Sequence, residues 1–256
     1  MTNTEIALSL INSFATGETK IAEAHLAKDY IQHNLNFGTG RDQFIEAVTG
    51  LQQAPTKTTV ETIRSFSDGP YVVLHSRYNF AGAGDQIGID VFRFEDNMIA
   101  EHWDNLSKLT GPTPSGHTQY DGTTKISDLD NTASNKQLVA NFVRDVLRGE
   151  NPSALPTYFD GDHYIQHNSG IADGLSGLST ALSAMAEQDI TMTYDRTFRV
   201  LGHGNFVLAM SEGTFGVDHV AFYDLFSVLD GKIAEHWDII ETIPEKTTWA
   251  NQNGKF

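Results

Sequence analysis

Two short stretches place an imidazole and a carboxylate two positions apart. His102 and Asp104 stand in AEHWD at 100–104, and His236 and Asp238 stand where the same five residues return at 234–238. In a strand, alternate residues share a face, so each His-Asp pair points one way and the intervening Trp the other. Upstream of each pair a second carboxylate precedes a phenylalanine by two positions, Asp90 with Phe92 and Asp224 with Phe226. Carboxylates and an imidazole among phenylalanines are desolvated. Desolvation raises a carboxylate pKa and suits general acid–base work. Asp90 and Asp104 need not sit directly opposite each other for both to face one concavity.

A second stretch, YIQHN, also occurs twice, at 30–34 and 164–168, adding His33, Asn34, His167 and Asn168 as candidate ligand-contacting residues. Tyr164 follows Tyr30 by 134 positions, and Ala234 follows Ala100 by 134. The two halves therefore align with no net insertion from one stretch to the other. Gly40/Gly174, Leu74/Leu208, Gly82/Gly216, Asp96/Asp230 and Ile99/Ile233 match between them. The repeat is far longer than a solenoid unit of roughly 20–50 residues. Each half is the size of a small domain, and the expectation is a tandem repeat of one fused domain.

Other readings of these residues stay open. His102 and Asp104 facing solvent would leave Trp103 in the core. His33 and His102 as buried structural residues would line a pocket without chemistry. His33, His102, Asp90 and Asp104 are metal-ligand types, but HxD spacing is generic and no metal is assigned. A serine triad lacks its GxSxG elbow.

The elements that must position these residues follow from periodicity. Ile6, Ala7, Leu10, Ile11 and Phe14 form an apolar helical stripe ending at Gly17. Leu138, Val139, Phe142, Val143, Val146 and Leu147 form its counterpart, with Ser134 or Asn135 as cap. ETKIAEAHLAKD reads as a second helix, and its proline-broken partner is ENPSALPTYFDGDH. A third helix follows Gly40 and Gly174. The period then drops to 2 through TTVETIRSF, YVVLHSRYNF, IGIDVFRFED and MIAEHWDNL, with hairpin turns at EDN and LDG. Helices followed by an antiparallel meander make an α+β plan. The expected limits are domain 1 at 1–110, a linker at 111–134, and domain 2 with a C-terminal extension at 135–256. The extension and the linker hold apolar residues, so both are expected to pack on the protein, with Trp249 largely buried.

The chain has 256 residues, a formal charge of −16 and no cysteine. Disulfides and thiolate sites are excluded. The acidic surface works against nucleic acid and anionic membranes. No apolar run approaches the roughly 18 residues of a membrane span, and no phosphate-binding Gly loop occurs. The N-terminus lacks the features of a signal peptide, and a cytoplasmic location is expected.

YIQHN, the D-x-F strand and DGKIAEHWD together resemble the SnoaL-like polyketide cyclase family of the NTF2-like superfamily. The likeness covers nearly the whole chain, once per half, and extends to SGHTQYDGTTKISDLDNT and ETIPEKTTWANQNGKF. It implies two curved-sheet cones, each with helices closing over a deep pocket. It also implies an intramolecular pseudo-dimer and leaves further homo-oligomerisation open. The activity implied is a cofactor-independent lyase or isomerase reaction on a small hydrophobic carbonyl compound. By position, Asp104 and Asp238 match the family's acid–base aspartate, and His102 and His236 the neighbouring histidine. Asn34 and Asn168 fall near a pocket asparagine. The chain departs from the family at Asp90 and Asp224, where a histidine is usual. Two nearby carboxylates couple, and one pKa rises. The alternative is an NTF2-like protein that binds a small molecule without turning it over, since the superfamily hosts many functions. The halves also differ: Gly88 corresponds to Phe222, which narrows the second pocket if it points inward.

Overall fold

The computed structural model describes residues 1–256. The chain forms two compact units, residues 1–108 with 244–256, and residues 109–243. Each is built on a five-stranded mixed sheet with helices, an α+β fold.

In the first unit, α1 (Asn3–Thr16) is closed by a capping box between Thr2 and Glu5 and stopped by Gly17 at φ 77°. Its buried stripe is Ile6, Ala7, Leu10 and Ile11. Each fully buried Ile or Leu stabilises by about 1.5–3 kcal/mol. The short helix α2 (Lys20–His25) leads directly into β1 (Leu26–Gln32). After α3 (Arg41–Gln52) come β2 (Thr59–Asp68), β3 (Tyr71–Asn79), β4 (Asp85–Glu95) and β5 (Met98–Lys108). The sheet order is β1-β5-β4-β3-β2, a meander with β1 parallel to β5 at one edge.

The second unit repeats the plan. It has α4 (Thr132–Phe142), a continuing π-helical turn (Val143–Leu147) and a 3-10 segment (Pro152–Tyr158). Then follow β6 (Ile165–Gln166), α5 (Gly174–Glu187), β7 (Met192–His203), β8 (Phe206–Phe215), β9 (Asp218–Leu229) and β10 (Lys232–Thr242). The order β6-β10-β9-β8-β7 is the order of the first sheet. The last hairpin of each sheet turns through positive φ, at Asp96–Asn97 and at Asp230–Gly231, as a tight two-residue turn requires. No helix is long and apolar enough to cross a membrane.

Four sequence expectations differ from what is found. ETKIAEAHLAKD is helical only to His25, because β1 begins at Leu26, which pairs with Ile99 of β5. Helix α4 starts at Thr132, before the expected caps, and Asn135 is buried with Nδ2 donating to Asp128 and to the Gly204 carbonyl. The C-terminal stretch expected to extend domain 2 belongs to the first unit, and residues 109–134 pack as part of the second. The Ala250 amide donates to the Leu35 carbonyl. Asn251 Nδ2 donates to the Asn34 and Phe37 carbonyls, and Asn253 Nδ2 to that of Gln32. Trp249 is half-buried rather than enclosed, and its indole N–H donates to the Pro244 carbonyl.

Candidate active site

Register decides which side chains meet. Asp90 of β4 lies directly across from Asp104 of β5, and Phe92 across from His102. Asp224 faces Asp238, and Phe226 faces His236, in β9 and β10. Phe92 and His102 stack at 4.5 Å between ring centroids, and Phe226 and His236 at 4.6 Å. His102 Nε2 lies 3.0 Å from Asp90 Oδ1, and His236 Nε2 lies 3.0 Å from Asp224 Oδ1. The second carboxylate of each pair is held from the loop after β1 or β6. Asn34 Nδ2 donates to Asp104 Oδ2 at 2.7 Å, and Asn168 Nδ2 to Asp238 Oδ2 at 2.6 Å.

Each set opens on a cavity between its sheet and its helices. The first encloses about 330 Å³, with Asp90, Phe92, His102 and Asp104 on the sheet side and Phe14, Phe44 and Leu51 from the helices. The second encloses about 490 Å³, with Asp224, Phe226, His236, Asp238 and Asn168 in its wall. Both volumes fall in the range of small-molecule pockets. Phe222 does not narrow the second. It is fully buried beside Tyr194, at 4.1 Å between ring centroids. In the first unit that volume is filled otherwise: a Cβ on Gly88 would meet Leu106 at 2.6 Å and Tyr78 at 2.9 Å.

His33 and His167, expected among the pocket residues, lie outside the cavities. Alternation along β1 is the reason. Tyr30 and Gln32 take the cavity face, and the next residue, His33, turns to the opposite face with Glu101 and Trp103. His33 Nε2 lies 2.9 Å from Glu101 Oε1, and its ring stacks on Trp103 at 4.8 Å. Burial holds its pKa below the ordinary histidine value, against the raising effect of Glu101. Asn34 reaches Asp104 but is not part of the first cavity wall.

Four buried tyrosines complete the sites and were not among the expected residues. Tyr78 donates to Asp90 Oδ2, and Tyr194 donates to Asp224 Oδ1 at 3.3 Å. Tyr30 and Tyr164 accept from the amides of Gln32 and Gln166. Tyr30, Gln32, Tyr164 and Gln166 share a signal in sequence, the period-2 face of YIQHN. Tyr78 and Tyr194 sit at non-equivalent positions on different strands, so the repeat does not point to them. All four phenols are pushed well above the ordinary tyrosine pKa, first by burial and then by the aspartate charges.

Burial raises the Asp90 carboxyl above the usual aspartate range, opposed by the His102 contact. Asp238 is raised by burial and by the Asp224 charge, against the lowering effects of His236 and Asn168. At His236 burial lowers the pKa, but the hydrogen bond to Asp224 and the charges of Asp238 and Asp224 outweigh it, and the net shift is upward. The sites are not wired identically. His102 Nδ1 meets Gln32 Oε1 at 3.0 Å, whereas the buried His236 Nδ1 has no hydrogen-bond partner. In the first unit alone, the tail adds a buried lysine. Lys255 Nζ donates to the Asp104 carbonyl at 2.7 Å and lies 3.9 Å from Asp104 Oδ1. The triads Asp90–His102–Asp104 and Asp224–His236–Asp238 also have the donor types of a metal site.

Residues 8–102 match the SnoaL-like domain family. Among solved structures, IdmH of Streptomyces antibioticus, a candidate polyketide cyclase, is 16% identical. The match covers 42% of this chain and 93% of that one, at a TM-score of 0.35. A candidate ketosteroid isomerase of Kribbella flavida is 16% identical over 49% of this chain and 91% of its own, at a TM-score of 0.37. TsrD of Streptomyces laurentii is 15% identical over 42% and 92%, at a TM-score of 0.36. No curated protein matches the chain.

Proposed function

Residues 8–102 are a SnoaL-like domain, and from that premise we propose that the chain is a cofactor-independent acid–base enzyme. Its reaction is proton abstraction next to a carbonyl, as in an aldol-type cyclisation or an isomerisation, on a small hydrophobic compound. The observation that carries this reading is the cross-strand carboxylate pair in an apolar cavity, Asp90 opposite Asp104 and Asp224 opposite Asp238.

The two members of each pair have different surroundings, and so different roles. Asp104 Oδ2 is fixed by Asn34, and Oδ1 has no hydrogen-bond donor. That oxygen is the base: it takes the proton, and the electron pair moves into the carbonyl to form an enolate. Asp90 is raised by burial and tied to His102 and Tyr78. A carboxyl raised in this way donates a hydrogen bond to an enolate oxygen when it holds the proton. Asp238 and Asp224 occupy the corresponding positions in the second cavity, where burial instead raises Asp238 and it is Asp224 Oδ2 that has no hydrogen-bond partner. Phe92 and Phe226 hold the imidazoles in place by stacking and supply apolar wall.

A second reading, ligand binding without turnover, is favoured by the saturation of Asp90, whose oxygens already engage His102 and Tyr78. Both readings are tested by α-deuteration of a panel of cyclic ketones and aromatic β-keto esters in heavy water, followed by proton NMR. The expected result is exchange above the buffer rate, lost by at least about 100-fold in the Asp104→Asn, Asp238→Asn double variant, the lower range for a general base. Ketone binding with no exchange above buffer rejects the enzyme and supports the binding protein.

A further inference from the structure

His167 takes no part in the cavity, yet its side chain is fully buried and has a carboxylate at each ring nitrogen. Nε2 lies 3.3 Å from Glu235 Oε2, and Nδ1 lies 2.9 Å from Asp121 Oδ1. His117 repeats the pattern. Its Nε2 lies 3.5 Å from Asp173 Oδ2 and its Nδ1 3.7 Å from Asp121 Oδ2. Both Nδ1 atoms thus converge on the two oxygens of one carboxylate, and both Nε2 atoms are backed by another. The rings are 5.3 Å apart, and the donor atoms of His117, Asp121 and His167 lie within 4.8 Å of one another.

A histidine that binds a metal through one nitrogen characteristically gives its other N–H to a carboxylate, which fixes the tautomer and raises the basicity of the ligating atom. Here His167 has that arrangement with Glu235, and the Asp173 carboxylate stands 3.5 Å from the corresponding nitrogen of His117. Four-coordinate zinc with bonds of about 2.0–2.1 Å places its ligands about 3.4 Å apart, and the 2.9 and 3.7 Å separations bracket that distance. Two imidazoles with one carboxylate suit Zn²⁺, whereas Mg²⁺ and Ca²⁺ prefer all-oxygen sites.

The segment that carries His117 and Asp121 is already fastened in place. Ser115 Oγ donates to the Gln166 carbonyl, the Asp121 amide to Thr118 Oγ1, and the Trp237 indole to the Asp121 carbonyl. Glu235 Oε2 accepts from the Thr123 amide. Gly122, at φ 86°, passes so close that a Cβ there would stand 2.3 Å from Glu235 Oε2. His117 is about one-third exposed, which leaves room for water as a fourth ligand. His167 Nδ1 also lies 2.9 Å from the Thr118 carbonyl. Binding an ion replaces that hydrogen bond and leaves the ring proton on Nε2, facing Glu235. The first unit has no equivalent. His33 has Glu101 at Nε2 but the Gly254 carbonyl at Nδ1, and the repeat position of Asp121 is Lys255.

We propose that His117, Asp121 and His167 form a Zn²⁺ site in the second unit, with Glu235 and Asp173 orienting the imidazoles. It lies apart from both cavities and clips residues 115–123 to the sheet. The test is Zn²⁺ titration of the chelator-treated full chain by calorimetry and metal analysis, with Co²⁺ as the spectroscopic probe. One Zn²⁺ per chain is expected, with a raised unfolding midpoint. With no cysteine in the sequence, Co²⁺ should give a ligand-field band without thiolate charge transfer. His117→Ala and Asp121→Asn, folded by circular dichroism, should lose the bound ion, and Glu235→Gln should bind about 10–100-fold more weakly. The Asp104→Asn, Asp238→Asn double variant should keep it. No binding by the native chain, retention of the ion in His117→Ala, or its loss from the double variant overturns the proposal.

Discussion

At the residue scale the second site couples charge to stability through His236. Its pKa lies above the ordinary histidine value because the Asp224 hydrogen bond and the charges of Asp238 and Asp224 overcome burial. A group raised on folding stabilises the fold fully below its unfolded pKa, about 6.5 for histidine. That contribution is lost as pH rises through the folded value. The unfolding free energy of the native protein should therefore fall more steeply than that of His236→Gln as pH rises above about 6.5. Urea midpoints across that range check it, and equal slopes would refute it. At the lower end of the range the variant should also be less stable, by up to about 3–5 kcal/mol, the cost of leaving one partner of a buried pair alone. Part of this site was legible in the sequence. Strand alternation alone puts His102 with Asp104 and His236 with Asp238 on one face. That Asp90 stands directly opposite Asp104 depends on β4–β5 register, which passes through an irregularity at Arg93/Phe94 that local sequence does not specify. His33 does not share the cavity with Tyr30 and Gln32, although all three stand in YIQHN. Alternation divides that stretch, with Tyr30 and Gln32 inside and His33 outside.

At the element scale, tertiary pairing overrode local propensity. ETKIAEAHLAKD is rich in helix formers, yet Leu26–Gln32 leaves the helix to pair with β5, with Ile31 opposite Glu101 and Gln32 opposite His102. Propensity is a weak prior against a sheet edge that offers unpaired backbone groups. The C-terminal stretch shows the same limit. Its apolar residues implied that it packs, but nothing periodic in it says on which unit. What it supplies is largely polar: Asn251 satisfies carbonyls of the loop after β1, Asn253 that of Gln32 at the end of β1, and the Gly254 carbonyl meets His33 Nδ1. Each net hydrogen bond stabilises by about 0.5–1.5 kcal/mol. Removing residues 245–256 also takes Lys255 from beside Asp104. The truncated chain should unfold several degrees lower, at about 2–4 °C per kcal/mol for a chain of this size. Scanning calorimetry measures the shift, and an unchanged midpoint would mean that these contacts contribute nothing net.

At the scale of the whole molecule, one plan is carried out twice with different results. Both sheets have the same strand order and both cavities the same cross-strand carboxylates, yet the second cavity is larger, about 490 Å³ against about 330 Å³. The first has the Tyr78 hydroxyl on Asp90 and a lysine beside Asp104. The second has a longer tyrosine contact and an imidazole nitrogen without a partner. Two pockets with such different polar linings should bind one hydrophobic ligand with different affinities, since the apolar walls contribute to both while the fixed polar groups differ. An uncharged naphthyl ketone should therefore titrate as two sites per chain with separable constants. Ala47 and Ala181 occupy equivalent repeat positions, and each lines one cavity. Ala47→Trp should fill the smaller cavity and remove one site, and Ala181→Trp should weaken the other by at least about tenfold, or about 1.4 kcal/mol. Calorimetry of the native chain, the two single variants and the double variant separates the sites. Binding that survives in the double variant, or a single site in the native chain that only Ala181→Trp affects, would show that the first cavity is packing space rather than a pocket.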